Sequence, residues 1–286
     1  MIILRSVAEL RDAVAAARGS RGRIGLVPTM GAFHDGHLSL MRRARELCDC
    51  VIVSLFVNPA QFTDPGDLAR YPRDEALDAT LAESAGVDVL FAPPVSAVYP
   101  TGFSTRVEVL GVSAPLEGVV RGTEHFRGVA TVVTKLFNMA QPDDAFFGQK
   151  DAQQALLVRR MVRDLDMPVR IEVCPTVREP DGLAMSSRNV LLLPEDRRRA
   201  PALARALAAV VDAVAAGERH ATRALGAGVE VLRAAAIEPE YFTAVSTDAL
   251  EPVDVIAGET LIALAARLGQ IRLIDNALVD PAVRRA

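Results

Sequence analysis

The sequence predicts an α/β protein, a doubly wound, Rossmann-like parallel sheet with a smaller C-terminal α+β domain. Three observations carry that expectation. Short runs of continuous rather than alternating hydrophobicity, such as Cys50-Val-Ile-Val-Ser-Leu-Phe56, match strands buried on both faces of a parallel sheet. These runs alternate with stretches of helical apolar spacing, the rhythm of strands joined by covering helices. Polar, glycine-bearing clusters follow several of the strands, which is where open α/β sheets bind their ligands.

In chain order, an alanine-rich helix is expected over residues 7–18 and a short buried strand over 23–27, ended by Pro28 and Gly31. Leu38, Leu40, Met41 and Ala44 then set a helical spacing that starts near Gly36 and His37. The pattern repeats, with strands at 50–56, 87–91, 145–147 and 169–174 and helices at 75–85, 126–141 and 152–164. After about Thr176 the texture changes to a polar, glycine-bearing loop, residues 178–189, and then to alanine-rich segments. In these, leucine and valine recur at helical spacing over 194–216 and 221–236. Strands follow at 241–245, 260–266 and 270–274. The boundary is placed between a domain of residues 1–176 and a C-terminal lid domain of residues 177–286.

Composition narrows the function. With 286 residues, 50% of them hydrophobic, the chain can bury a large core. A formal net charge of −4 provides no global basic field for nucleic acid or an anionic membrane, so any anion site must be local. The N-terminus lacks the long apolar core of a signal peptide, and no apolar run approaches the ~20 residues of a membrane span. A cytoplasmic protein is expected. Three cysteines, Cys48, Cys50 and Cys174, are too few for a disulfide framework and read as buried thiols.

The chemistry concentrates in four places. Val27-Pro-Thr-Met-Gly-Ala-Phe-His34-Asp-Gly-His37 releases two histidines at a strand-to-helix turn. A helix start offers backbone N–H groups and a positive dipole end, so the turn suits a phosphate, although a metal pair or a structural turn fits the same residues. The other histidines, His125 and His220, lie in unrelated sequence contexts. Gly148-Gln-Lys150-Asp151 opens a helix directly after a strand. Met185-Ser186-Ser187-Arg188 supplies two hydroxyls and a guanidinium in a glycine-containing loop, which reads either as a linker or as a mobile lid closing on phosphates. Asn58 and Gln61 offer neutral hydrogen bonds to a polar substrate. Arg121 shares a further loop with Glu117 and His125. The P-loop, the Gly-x-Gly-x-x-Gly fingerprint and the Gly-x-Ser-x-Gly elbow are all missing from the sequence, which disfavours ordinary kinases, nicotinamide dehydrogenases and α/β-hydrolases.

Taken together, these segments resemble the pantothenate synthetases of the nucleotidylyltransferase superfamily. The resemblance runs nearly end to end. It rests on Pro28-Thr-Met-Gly-Ala-Phe-His-Asp-Gly-His37, Phe56-Val-Asn-Pro-Ala-Gln-Phe62, Tyr71-Pro-Arg73, His125-Phe-Arg-Gly-Val129 and Phe147-Gly-Gln-Lys-Asp151 with Gln153-Gln154. Asp181-Gly-Leu-Ala-Met-Ser-Ser-Arg-Asn189 and Arg272-Leu-Ile-Asp-Asn276 complete it. The resemblance implies an ATP-dependent ligase that joins pantoate to β-alanine through a pantoyl-adenylate, releasing AMP and pyrophosphate. It implies catalytic roles for His34, His37, Lys150, Ser186, Ser187 and Arg188. Met30, Gly31, Gly148, Asp151, Val177 and Met185 would join them around ATP. Gln61, Gln154 and Asn58 would hold pantoate and β-alanine, with Asp78 near Mg²⁺. A homodimer is implied, and no nucleic-acid or membrane partner. The segment from Arg121 to His125 is one residue longer than the family's Arg-Pro-Gly-His pattern. The competing readings are a nucleotidylyltransferase acting on a phosphate-bearing acceptor, which the substrate glutamines disfavour, and a nucleotide sensor without turnover, which would be expected to lack one of these cations.

Overall fold

The computed structural model describes residues 1–19 and 22–282, which divide into two compact units: residues 1–149 with 153–175, and residues 150–152 with 176 onward. The first unit runs β1 (Ile2–Leu4), α1 (Val7–Gly19), β2 (Ile24–Thr29), α2 (Asp35–Leu47), β3 (Cys50–Leu55), α3 (Pro65–Arg70), α4 (Glu75–Ser84) and β4 (Val89–Phe91). It continues with α5 (Val95–Val98), α6 (Glu117–Arg121), α7 (Thr123–Ala140), β5 (Asp144–Gly148), α8 (Ala152–Asp164) and β6 (Arg170–Cys174). Single 3₁₀ turns occupy Pro59–Gln61 and Gln149–Asp151.

The six strands form one sheet in the order β1-β4-β3-β2-β5-β6, with every neighbouring pair parallel. The sheet is built around its apolar centre. Ile24, Leu26, Val27, Val51, Ile52 and Val53 are all buried, as continuous apolar runs in a parallel sheet require. From β2 the chain moves outward through β3 to β4, which β1 flanks, and later returns to the other side of β2 with β5 and β6. The β2/β5 boundary is therefore the point where strand order reverses, the place where such sheets open a crevice beyond their carboxyl ends. β2 ends at Thr29 and β5 at Gly148, so the two motif-bearing turns both begin at that crevice.

The second unit contains α9 (Pro194–Arg199), α10 (Ala202–Ala215), α11 (Ala221–Ala234), β7 (Pro239–Ser246), β8 (Thr260–Leu268) and β9 (Ile271–Val279). Its strands make an antiparallel sheet in the order β7-β8-β9. The α10 residues Leu203, Leu207, Val210 and Val214 share a core with Ile262, Leu264 and Ala266 of β8. Ala202 and Ala206 of α10 are buried packing surface: small side chains let the helix approach closely.

The α/β class and the small C-terminal α+β domain are as the sequence predicts. Several elements differ. β1 is absent from the sequence reading because it has three residues, two of them exposed, and carries no periodicity. The single helix expected over 194–216 is two, because Pro201 removes an amide donor between α9 and α10. The long helix expected from residue 126 begins at Thr123, and the segment before it is itself helical. Among the described residues no helix is long and apolar enough to cross a membrane.

Candidate active site

The turn after β2 is built to deliver the histidine pair. Gly31 has φ +87, a conformation that costs an L side chain strain, and an added Cβ would lie 2.6 Å from Leu55 Cδ1 and 2.8 Å from Asp78 Oδ2. Ala32 follows with φ +53. This left-handed stretch is held by Asp78 of α4, which is 2% exposed. Its Oδ2 accepts from Ala32 N at 3.0 Å and its Oδ1 accepts from Phe33 N at 2.8 Å. Burial pushes the Asp78 carboxyl above the usual range, against the pull of those two amides.

His34 is the N-cap of α2. Its Nδ1 accepts from Gly36 N at 3.1 Å, while His37 Nδ1 accepts from His34 N at 3.4 Å, a reciprocal capping box built from two imidazoles. The two ring centroids are 4.2 Å apart. An Nδ1 that accepts places the ring proton on Nε2. The sequence leads one to expect that the first-turn amides and the two imidazoles meet an anion together. In the structure Gly36 N donates to His34 Nδ1 and His37 N donates to His34 O at 2.8 Å, so both amides are engaged within the turn.

After β3 the chain turns through Asn58 and Gln61. Asn58 Nδ2 donates to Gln61 Oε1 at 3.0 Å and to Gly128 O at 3.1 Å, and its Oδ1 accepts from Ala60 N at 3.2 Å and from the Tyr99 hydroxyl at 2.9 Å. Gln61 Oε1 is thereby an acceptor in use, and its Nε2 faces Met30 Sδ at 3.1 Å. Sulfur is a weak acceptor, so this amide N–H₂ is the group a substrate oxygen would recruit. Asn58 is only 1% exposed and its four hydrogen bonds go to Gln61, Gly128, Ala60 and Tyr99, so its amide fixes the orientation of the Gln61 side chain.

Asp78, which the resemblance places near Mg²⁺, is likewise hydrogen-bonded within the protein. Both its oxygens are committed to the β2–α2 turn, and the described residues contain no group of three or more His, Cys, Asp or Glu able to hold a metal. His125, which the sequence places in an unrelated context, meets Gln61 O through Nδ1 at 2.7 Å, and because a carbonyl only accepts, His125 donates there. Tyr99 and His125 thus belong to the Gln61 neighbourhood, and only tertiary contact reveals them. Gln154 is half-buried in the first turn of α8, whereas the adjacent Gln153 is buried and anchors the preceding loop through Val112 O, Pro115 O and Glu117 N. Arg121 donates to Glu117 Oε2 at 2.9 Å within α6, and Gly122 at φ +79 separates α6 from α7.

In the second unit, Lys150 Nζ lies 3.5 Å from Asp151 Oδ1. The loop with Ser186, Ser187 and Arg188 grows from a hairpin closed by Met185 N donating to Val177 O at 3.0 Å and by the antiparallel bridge Arg178–Ala184. At the loop itself, Arg188 N donates to Ser186 Oγ at 3.2 Å, and the three side chains are half-buried. Cys48 and Cys174 are buried and Cys50 half-buried; burial pushes the Cys48 thiol up to about 12 and Cys174 to about 11, and raises Cys50 as well, so none is poised as a nucleophile.

Comparison with known proteins gives the same direction as the geometry. The family model described as pantoate-beta-alanine ligase matches residues 2–278. A pantothenate synthetase of Roseiflexus castenholzii is 52% identical over 98% of this chain and 100% of its own length. One from Cereibacter sphaeroides is 53% identical over 96% of this chain and 98% of its own. A crystal structure of the Thermus thermophilus enzyme superposes with a TM-score of 0.91 at 49% identity, covering 97% of this chain and 99% of that one. The pantoate-beta-alanine ligase of Francisella tularensis, solved in complex with beta-gamma ATP and beta-alanine, gives 0.78 at 34% identity over 98% of this chain and 99% of that one. With motifs, topology and near-complete coverage in agreement, the chain belongs to the pantoate-beta-alanine ligase family.

Proposed function

We propose that the protein condenses pantoate with β-alanine using ATP, through a pantoyl-adenylate, releasing pyrophosphate and then AMP. Family membership and the ATP and β-alanine bound to the Francisella relative support the reading. The single observation that carries it is the imidazole capping box on the turn after β2, at the strand-order reversal where such sheets bind their ligands.

In the first step a pantoate carboxylate oxygen attacks the α-phosphorus and the bond to pyrophosphate breaks. Like-charge repulsion opposes the approach, and negative charge grows on the α-phosphate oxygens and the leaving group, so fixed donors must offset it. His34 and His37 serve through Nε2–H, with Lys150, Ser186, Ser187 and Arg188 as further donors. Met30, Gly31, Gly148, Asp151, Val177 and Met185 surround the nucleotide, Asp151 meeting the ribose. Gln61, held by Asn58, gives its N–H₂ to pantoate, and Gln154 gives a second amide. In the second step the uncharged β-alanine amine attacks the acyl carbon, AMP leaves, and the nitrogen loses a proton. Mg²⁺ would enter bound to the ATP phosphates, the habit of a cation that keeps waters and few protein ligands, and Asp78 is not needed to hold it. The homodimer rests on resemblance, and sedimentation tests it.

The test is AMP production from pantoate, β-alanine and Mg²⁺-ATP. AMP must depend on both acids, and its absence would refute the proposal. In single-turnover adenylation His37→Ala should be slower by roughly 10²-fold or more, the usual cost of a lost oxyanion donor.

A further inference from the structure

The motif Arg272-Leu-Ile-Asp-Asn276 takes no direct part in the chemistry above, yet its last two residues are buried polar groups in the middle of β9. Asp275 lies opposite Leu264 of β8, and Asn276 lies opposite Ala263. A carboxylate and an amide are costly there unless they bind something in return. Asp275 accepts a two-pronged ion pair from Arg178, Nη1 to Oδ2 at 2.7 Å and Nη2 to Oδ1 at 3.1 Å. The same Arg178 Nη1 donates to Gly182 O at 3.0 Å, so one guanidinium ties the turn of the 177–185 hairpin to β9. Asn276 Nδ2 donates to the backbone carbonyl of Lys150 at 3.0 Å, a contact within the second unit, which includes residues 150–152. Asp275 Oδ1 also accepts from Asn276 N at 2.8 Å, which joins the two residues. Consecutive strand residues face opposite sides, so one strand grips two separate segments at adjacent positions.

We propose that Asp275 and Asn276 are positioning residues for the two cation-bearing segments of the site. Asn276 holds the main chain of Lys150, and Asp275, acting through Arg178, holds the hairpin from which Ser186, Ser187 and Arg188 extend. Lys150 and Arg188 then share a single frame in β9, and the spacing between the two positive charges is set by that strand rather than by their own loops. This rests on the reading of Lys150 and Arg188 as phosphate-facing groups, and assigns the motif the task of presenting them.

The test is a pair of double-mutant cycles read in Mg²⁺-ATP affinity by calorimetry on the full-length chain. Asn276→Ala is expected to weaken ATP binding about tenfold, the scale of a lost buried hydrogen bond. Added to Lys150→Met it should cost less than about twofold, because a positioner has nothing left to position. Asp275→Asn combined with Arg188→Met should show the same non-additivity, and the pantoate KM of Asn276→Ala should stay within about twofold of the parent. Should the alanine variant not fold, Asn276→Asp removes the same donor with little change in shape. Full-sized losses in both backgrounds, or no loss in the single variants, overturn the proposal. A parent chain that binds ATP but forms no adenylate sinks the functional reading instead and leaves these cycles interpretable, because they read binding alone.

Discussion

At the scale of single residues, the site depends on polar side chains whose own contacts fix their direction. The His34 and His37 tautomers follow from two Nδ1 acceptors, and the Gln61 amide orientation follows from one Asn58 donor. Asp78 stands behind the histidines and holds two amides of a left-handed turn. Asn in its place offers one acceptor and turns an N–H₂ toward the other amide, so Asp78→Asn should lower stability by about 2 kcal/mol, the cost of one unmet buried donor. Adenylation should slow with it, since the turn aims His34. Urea unfolding and single-turnover kinetics measure the pair of effects, and an unchanged rate would show that the turn keeps its shape without Asp78. The histidine pair and Lys150 were legible in the sequence as candidates because their spacing after strands is a local feature. The contacts of Asn58, Asp78 and His125 were not, because each depends on a partner between 45 and 70 positions away in the chain.

At the scale of elements, α7 buries 11 of its 18 residues and presses directly on the turn that carries Gln61. A Cβ on Gly128 would stand 2.2 Å from Ala60 O and 2.7 Å from Gln61 N, so only glycine permits this approach. Gly128→Ala should push the 59–61 turn outward, at about 1–3 kcal/mol of overpacking, and raise the pantoate KM by about tenfold. Steady-state kinetics with pantoate varied would measure it; a normal KM beside a lowered melting temperature would confine the glycine to packing. The sequence marks His125-Phe-Arg-Gly-Val129 as a motif and gives no hint of the reason. A helix interior usually disfavours glycine, and the contact that requires it is made with a turn far back in the chain, at Ala60 and Gln61.

Over the whole molecule, charge is used differently at the two ends of the parallel sheet. The carboxyl end carries the candidate site, and the amino end carries Asp144, fully buried at the start of β5. Burial pushes its carboxyl up, but hydrogen bonds from Arg23 of the chain before β2 and Arg170 of β6 outweigh that and leave it below the usual value of 3.8. A depressed carboxyl contributes stability that is present in full above 3.8 and is lost as pH falls through the lower folded-state value. Asp144→Asn should therefore cost about 2 kcal/mol at neutral pH, below the usual figure for a broken buried pair because both arginines are half-exposed. Its stability should also fall less steeply than the parent's below pH 3.8. Urea titrations at several pH values check both statements, and parallel pH profiles would contradict the second.

By itself the sequence determined the α/β class, the smaller C-terminal α+β unit, and the turns that carry His34, His37, Lys150 and Arg188. Each of these is written in local pattern: apolar runs, helical spacing, and glycine or proline at strand ends. Only the tertiary structure decided which polar residues are committed to holding others in place. Asn58 and Asp78 read as site residues in one dimension, and Asp275 and Asn276 as part of a motif without a role. Folding buries them and commits their hydrogen bonds to Gln61, the β2–α2 turn, Arg178 and Lys150, because a buried polar group must satisfy its bonding capacity with whatever the fold brings near.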